Sequence, residues 1–283
     1  RPTGSLDMFK RISMLILAFS TVYCSLAQAK PLLVESFNLR YDNPADGIHA
    51  WPHRQALVIE HIRNLSADVI GMQEVLAHQW QWLGEQLPEY GAFGAGRDDG
   101  EQAGEFVPVL YRKDRLTLKK NGYFWLSETP NQPGSIGWGA HLPRITSWAI
   151  FTDKHSQRDI CFFNTHFSHV SDKARQQAAK LLLAQIPLRC NDLPVIVTGD
   201  FNAQPGDVAY QQLSNSKQLF DTASGQAAEP TYNGFGKAEQ AVRIDYIFAD
   251  KRITATKYQT HLIVKDGVYI SDHFPISVSL DIK

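Results

Sequence analysis

The chain has 283 residues, 43% of them hydrophobic and 20% charged, with a formal net charge of −1. This is the composition of an ordinary folded protein, and it excludes disordered and collagen-like classes. The near-neutral charge gives no general basic face for nonspecific hold on polynucleotide, although a local basic groove stays compatible with it.

The N-terminus has its own character. Met8-Phe9-Lys10-Arg11 is a short basic start, residues 12–24 are largely apolar, and Ala27-Gln28-Ala29 is a small-x-small site. This three-part pattern predicts a secretory signal peptide cleaved after Ala29. The expected organisation is therefore a leader over 1–29 and one catalytic domain over 30–283, exported to the periplasm or secreted, and monomeric. Tyr23 before Cys24 is bulky where a lipoprotein signal needs a small residue, so no lipid anchor is expected. Cleavage removes Arg1, Lys10, Arg11 and Asp7, which moves the net charge from −1 to −3. No apolar run in the remaining chain is long enough to span a membrane. Of the two remaining cysteines, Cys161 falls in an apolar strand and Cys190 in a loop. Export permits a disulfide, but a buried free thiol at Cys161 is expected.

Residues 32–37 read as a strand that hands over to Asn38-Leu39-Arg40-Tyr41 and a loop rich in Asn, Asp, Pro and Gly. Trp51, Leu57, Val58, His61, Ile62 and Leu65 recur at helical spacing and predict a helix over 51–65. Residues 67–74 form the next buried strand, with Glu74 at its end, and 78–87 a second helix. Such alternation implies a layered α/β fold. The Gly- and Asp-rich segment 91–105 reads as a surface loop. Strands follow over 106–111 and 123–126, then a long Pro/Gly/Trp loop over 127–142, a length that often carries function. Pro143-Arg144 opens a strand over 145–151, and the strand 160–165 ends at His166. Ser171 is the expected N-cap of a helix that runs to Ile186 and stops at Pro187.

Val195-Ile196-Val197-Thr198-Gly199-Asp200 reads as a buried strand that delivers Asp200 and then Asn202. Residues two apart on extended chain point the same way. Alone, this stretch is equally an Asx-rich turn. The segment 214–240 is polar around a short strand near Leu219. A strand over 242–248 holds Asp245 among apolar residues, where a carboxylate is costly unless paired or bound to metal. Ser271-Asp272-His273 precedes the last strand, 276–282. His141 and His169 read as loop or surface histidines. Trp51 and Trp138 are the tryptophans expected to wall a substrate.

Asn38, Glu74, His166, Asp200, Asn202, Asp272 and His273 all fall at or next to strand ends, where open α/β sheets bind ligands. The set Ser-Phe-Asn38, Gln-Glu74, Asn-Thr-His166, Gly-Asp200-Phe-Asn202, Arg-Ile-Asp245-Tyr and Ser-Asp272-His273 resembles the endonuclease/exonuclease/phosphatase superfamily, the deoxyribonuclease I-like proteins. Every motif occurs in family order. The Asn-Leu-Arg-Tyr-Asp-Asn start and the Arg-Asp-Asp-Gly loop resemble exported bacterial members. The resemblance implies a four-layered α/β sandwich, two packed mixed sheets flanked by helices, with the site at one end. It implies that Glu74 is the principal ligand of a divalent metal, helped by Asn38 and Asp272. All-oxygen ligands suit Mg²⁺ or Mn²⁺. It implies that Asp200 positions or deprotonates the attacking water and that Asn202 holds phosphate or water. His273, oriented by Asp245, is the other base, and family mechanisms differ on which takes the proton. His166 and Tyr111 would hydrogen-bond the phosphoryl oxygens, Arg144 would clamp the substrate, and Glu105 would orient His166.

The expected activity is metal-dependent hydrolysis of a P–O ester, on a small phosphorylated molecule or head group in preference to nucleic acid. The rivals are a secreted nuclease and a binding protein that keeps the scaffold without turnover.

Overall fold

The computed structural model describes residues 30–282; the signal peptide read from residues 1–29, with Cys24, lies outside them. β1 (Leu32–Asn38) leads through a 3-10 turn (Pro44–His49) into α1 (Trp51–Leu65), β2 (Val69–Gln73) and α2 (Ala77–Gln86). β3 (Tyr90–Phe93), β4 (Val109–Arg112), β5 (Leu116–Trp125), β6 (Ile145–Asp153) and β7 (Asp159–His166) follow. Next come α3 (Asp172–Cys190), β8 (Val195–Asp200), α4 (Val208–Ser214), β9 (Leu219–Asp221) and β10 (Asp245–Asp250). β11 (Ile253–Thr260), a small hairpin of β12 (Val264–Lys265) and β13 (Val268–Tyr269), and β14 (Ile276–Ile282) end the described chain.

The strands form two six-stranded mixed sheets, ordered β11-β14-β1-β2-β4-β3 and β5-β6-β7-β8-β10-β9. The two-residue period of each strand explains how they stack. Val34, Val69, Phe162, Ile196, Ile247 and Val278 point between the sheets and make one core. The alternate residues face outward. Phe37, Ile70 and Met72 meet Val58 and Ile62 of α1 and Leu83 of α2. Phe163, Val197 and Phe248 meet Ala178 and Leu182 of α3 and Leu213 of α4. The result is the four-layered α/β sandwich the resemblance implied. Among the described residues no helix is long and apolar enough to cross a membrane.

Toward one end of the sandwich the inward stripe turns polar. Gln73 Nε2 donates to Asn164 Oδ1 at 2.7 Å, and Thr198 Oγ1 donates to the same oxygen at 3.0 Å. Asn164 Nδ2 donates to the carbonyls of Met72 and Pro108 at 2.6 and 3.0 Å. Gly71 makes the space: a Cβ there would sit 2.0 Å from Thr198 Oγ1 and 2.6 Å from Asn164 Oδ1. This network ties the sheets together one tier below the strand ends. Two residues further on, by the same periodicity, come Asn38 after Ser36, His166 after Asn164 and Asp200 after Thr198.

Four local expectations need correction. α3 does not stop at Pro187 but runs through it to Cys190. Proline lacks the N–H that would bond the carbonyl four residues back, and Gln218 Nε2 donates to that Leu183 carbonyl instead, at 3.4 Å. Cys190, at the helix end, is bonded to Cys161, whose side chain faces α3 from β7, so neither is a free thiol. The segment 91–105 is not loop throughout, because β3 pairs Tyr90–Phe93 with β4. The strand expected over 106–111 is confined to Val109–Arg112.

Candidate active site

β1 and β2 are parallel and end together, as do β7 and β8, and the Asn38–Asp200 hydrogen bond puts the two sets of ends on the same side. β10 is antiparallel to β8 and starts there, with Asp245 opposite Asp200. β14 likewise runs antiparallel to β1, so Asp272 and His273, just before it, reach the same end. A cavity of about 470 Å³ opens there, lined among others by Glu74, Glu105, Arg144, His166, Asp200, Asn202, Asp272 and His273.

Asn38 is 1% exposed and links two carboxylates, its Nδ2 donating to Asp200 Oδ2 at 2.9 Å and to Glu74 Oε1 at 3.1 Å. Asp200 Oδ1 accepts from the Asn202 backbone N–H at 2.9 Å. Asn202 Nδ2 donates to the Phe167 carbonyl at 3.1 Å. His166 Nε2 lies 3.4 Å from Asp200 Oδ2 and 4.0 Å from Glu74 Oε1. His273 Nδ1 is 2.8 Å from Asp245 Oδ2, and its Nε2 lies 3.8 Å from Asp200 Oδ2. Glu74 and Asn202 have φ of 58° and 48°, in the left-handed region that non-glycine residues enter at a cost. That turn of the backbone just after a strand aims each side chain back over the sheet end.

Burial dominates the electrostatics. It pushes the Asp200 carboxyl up to about 7, aided by the negative charge of Asp245. It pushes Glu105 up to about 7, aided by Glu74, and it raises Asp272. Burial and the charges of Arg144 and Arg97 hold His166 well below the usual imidazole range. For His273 burial favours the neutral ring, but Asp245 and Asp200 overcome it and raise the group well above 6.5.

The donor set fits a hard divalent cation. Glu74, His166 and Asp200 each offer a ligand atom, all within 4.8 Å of one another. Glu74 also opposes ionisation of Asp200 and Asp272 through its own charge. Clustered buried carboxylates that raise one another are the arrangement a cation relieves.

Several expected residues stand elsewhere. Tyr111 does not line the cavity; it packs on Phe151 with ring centroids 5.0 Å apart. β4 runs antiparallel to β2, so Tyr111 sits opposite Val69, at the end of the sheet far from Glu74. Glu105 lines the cavity but is 3.9 Å from His166 Nδ1, beyond hydrogen-bond reach; Arg97 holds it in a two-pronged pair at 2.7 and 3.0 Å. Trp51 is buried between helices and sheet, and Trp138 packs under α3, so neither walls the cavity. His141 lies outside the lining, in keeping with its reading as a loop histidine.

The lining adds Arg40, Tyr41, Leu142, His169, Tyr232 and Ile244. Arg40 grips Asp46 with two bonds of 3.0 Å and lies 3.6 Å from Asp272. Its place two residues past Asn38 was the available signal. His169 reads in the sequence as a loop or surface histidine, yet it lines the cavity and its Nδ1 accepts from Arg144 Nη2 at 2.8 Å. Arg54 is fully buried and donates to the backbone carbonyls of Leu39, Arg40, His49 and Ile270, at 2.7–3.1 Å. It braces the segment after Asn38 against the segment before Asp272. Nothing in its helical spacing set it apart.

Sheet order, strand ends and acidic cluster together define a deoxyribonuclease I-like hydrolase scaffold with a metal-competent site. Residues 36–273 match the Endonuclease/Exonuclease/phosphatase family, and the chain belongs to it. Members of this family are divalent-metal-dependent phosphoester hydrolases. A Bacteroides vulgatus endonuclease/exonuclease/phosphatase structure is 36% identical, with a TM-score of 0.86 over 90% of this chain and 100% of that one. A Bacteroides thetaiotaomicron mannosyl-6-phosphatase is 35% identical, with a TM-score of 0.81 over 88% of this chain and 99% of that one. Nocturnin of Drosophila melanogaster is 24% identical over 177 residues, 58% of this chain. The match spans only 26% of that curated relative's length.

Proposed function

We propose that this chain is a divalent-metal-dependent phosphoesterase that hydrolyses a P–O ester of a small phosphorylated molecule by in-line attack of water. One observation carries the reading. A single cavity joins an acidic cluster, Glu74, Asp200 and Asp272, to a buried arginine, Arg144, that makes no ion pair among the described residues because Glu105 is taken by Arg97. A cation site beside a guanidinium that has no ion-pair partner matches a phosphate.

Glu74, with Asn38 and Asp272, would hold the ion, and oxygen donors of this kind suit Mg²⁺ or Mn²⁺. When bound, the ion supplies charge neutralisation at the phosphoryl oxygens. The chain's own residues do the rest. Asp245 fixes the His273 ring so that Nε2 faces Asp200. The Asp200–His273 pair brackets the point where an attacking water would lose its proton. His166 and Asn202, beside Asp200, offer donors to the phosphoryl group.

Two observations support a small substrate. A cavity of about 470 Å³ is of the size that encloses small ligands. The mannosyl-6-phosphatase neighbour shares 35% identity across nearly its whole length. The Cys161–Cys190 disulfide supports export to an oxidising compartment.

The test is a substrate panel in Mg²⁺: mannose 6-phosphate, p-nitrophenyl phosphate, inositol phosphates, a phospholipid and plasmid DNA. Turnover of small esters with intact plasmid is expected. Salt-sensitive plasmid cleavage without small-ester turnover would make the protein a nuclease. Ligand binding by calorimetry with no hydrolysis would make it a binding protein.

A further inference from the structure

We propose that His169, oriented by Arg144, is a specificity-determining residue that selects phosphomonoesters over phosphodiesters. This rests on the phosphoesterase reading above and adds to it the kind of ester.

The hydrogen-bond geometry assigns a tautomer. Arg144 Nη2 lies 2.8 Å from His169 Nδ1. A guanidinium can only donate, so Nδ1 must accept and carries no proton. The ring's proton therefore sits on Nε2. Arg144 is 5% exposed just before β6, while His169 stands at the cavity mouth in the loop after β7. Arg144 thus sets the ring and leaves its outer N–H as a donor.

The charge balance identifies what the donor meets. Glu105 is committed to Arg97 through two bonds. Arg144 Nη1 is buried without a hydrogen-bond partner among the described residues. Arg144 therefore keeps a buried charged N–H without a partner, and one neutral donor stands beside it. A phosphomonoester near neutral pH carries two negative charges and three terminal oxygens. A diester carries one charge, two terminal oxygens and a second alkoxy group. The acidic cluster, with a cation bound, and the donors on Asn202 and His166 would serve two oxygens. The Arg144–His169 wall serves the third oxygen and the second charge, both of which a diester lacks.

The experiment compares p-nitrophenyl phosphate with bis(p-nitrophenyl) phosphate, which share a leaving group. Wild type is expected to favour the monoester. His169→Ala, at an exposed position, should fold normally. His169→Asn keeps an oxygen for Arg144 but is too short to offer the distal N–H. Both variants should lose about 10- to 100-fold in kcat/KM on the monoester, the effect of one hydrogen bond to a charged group. The monoester-to-diester ratio should fall with it. Calorimetric affinity for inorganic phosphate should weaken in parallel, and nitrogen-15 NMR should find the His169 proton on Nε2. Equal losses on both esters, unchanged selectivity in His169→Asn, a wild-type preference for the diester, or a proton on Nδ1 each overturns the proposal. If wild type cleaves neither ester, the phosphoesterase reading fails, and the phosphate affinities still decide the wall's role: weakened in His169→Ala supports it, unchanged removes it.

Discussion

Asp245 begins β10 of one sheet and His273 precedes β14 of the other, yet Asp245 Oδ2 and His273 Nδ1 meet at 2.8 Å with both side chains buried. The bond fixes which ring nitrogen faces Asp200. Asp245→Asn should lower kcat about 100-fold or more, the scale of lost acid–base positioning. His273→Asn should do the same. The double variant should be scarcely worse than either single one, because the two act as a unit. Steady-state kinetics on the four proteins check this, and additive losses would show that they act independently.

Removal of the cation should silence the enzyme. EDTA should abolish turnover, and Mg²⁺ or Mn²⁺ should restore it. Glu74→Gln should weaken Mn²⁺ binding by about 10- to 100-fold, and kcat by at least as much, without a large change in Tm. Calorimetric Mn²⁺ titration with thermal melts measures both; a variant that binds and turns over as wild type takes Glu74 out of the site.

The polar tier under the site depends on a missing side chain. In Gly71→Ala the new Cβ would fall 2.0 Å from Thr198 Oγ1. Thr198 and Asn164 would have to give up their mutual bond or push the sheets apart. A loss of about 2–3 kcal/mol in unfolding free energy is expected by urea titration. A neutral substitution would mean that the tier repacks freely.

The disulfide closes a 29-residue separation between β7 and the end of α3. Chain entropy predicts a contribution of about 3–4 kcal/mol. Cys161→Ser with Cys190→Ser should lose this in denaturant titrations and should become insensitive to reductant. Equal stability of oxidised and reduced wild type would remove the disulfide from the account.

Acid should weaken the fold through His261. Burial, and then the charge of His61, lower its pKa from 6.5 to about 4. Between those values the unfolded chain binds a proton that the folded one refuses, so stability falls as pH drops from 6.5 toward 4. The ring is partly exposed, so a contribution of about 1–2 kcal/mol is expected. His261→Gln should flatten that limb of the stability profile; an unchanged limb would place the titration elsewhere.

The strand ends were legible because apolar runs stop where the chemistry starts. β8 shows this at Thr198-Gly199-Asp200, and β14 begins at Ile276 as its pattern requires. What stayed hidden depends on pairings that no local pattern carries. Tyr111 reads as a site residue until the antiparallel register places it opposite Val69. Gly91, lacking a Cβ, leaves room for its ring there. Cys190 reads as loop because Pro187 normally ends a helix, whereas here the helix continues and a distant amide from Gln218 takes up the freed Leu183 carbonyl. Arg144 and His169 are 25 residues apart and meet only because β6 and β7 are neighbours.

Asn38 ends a strand of the first sheet and Glu74, Asp272 and His273 sit in segments next to its strands, whereas His166, Asp200 and Asp245 lie in strands of the second. Neither sheet with its flanking segments therefore carries the full candidate set of groups by itself. A partly folded chain, with one sheet formed and the other astray, would be chemically silent. Hydrolytic competence is born at the moment the two sheets dock, and an activity assay during refolding would time that event.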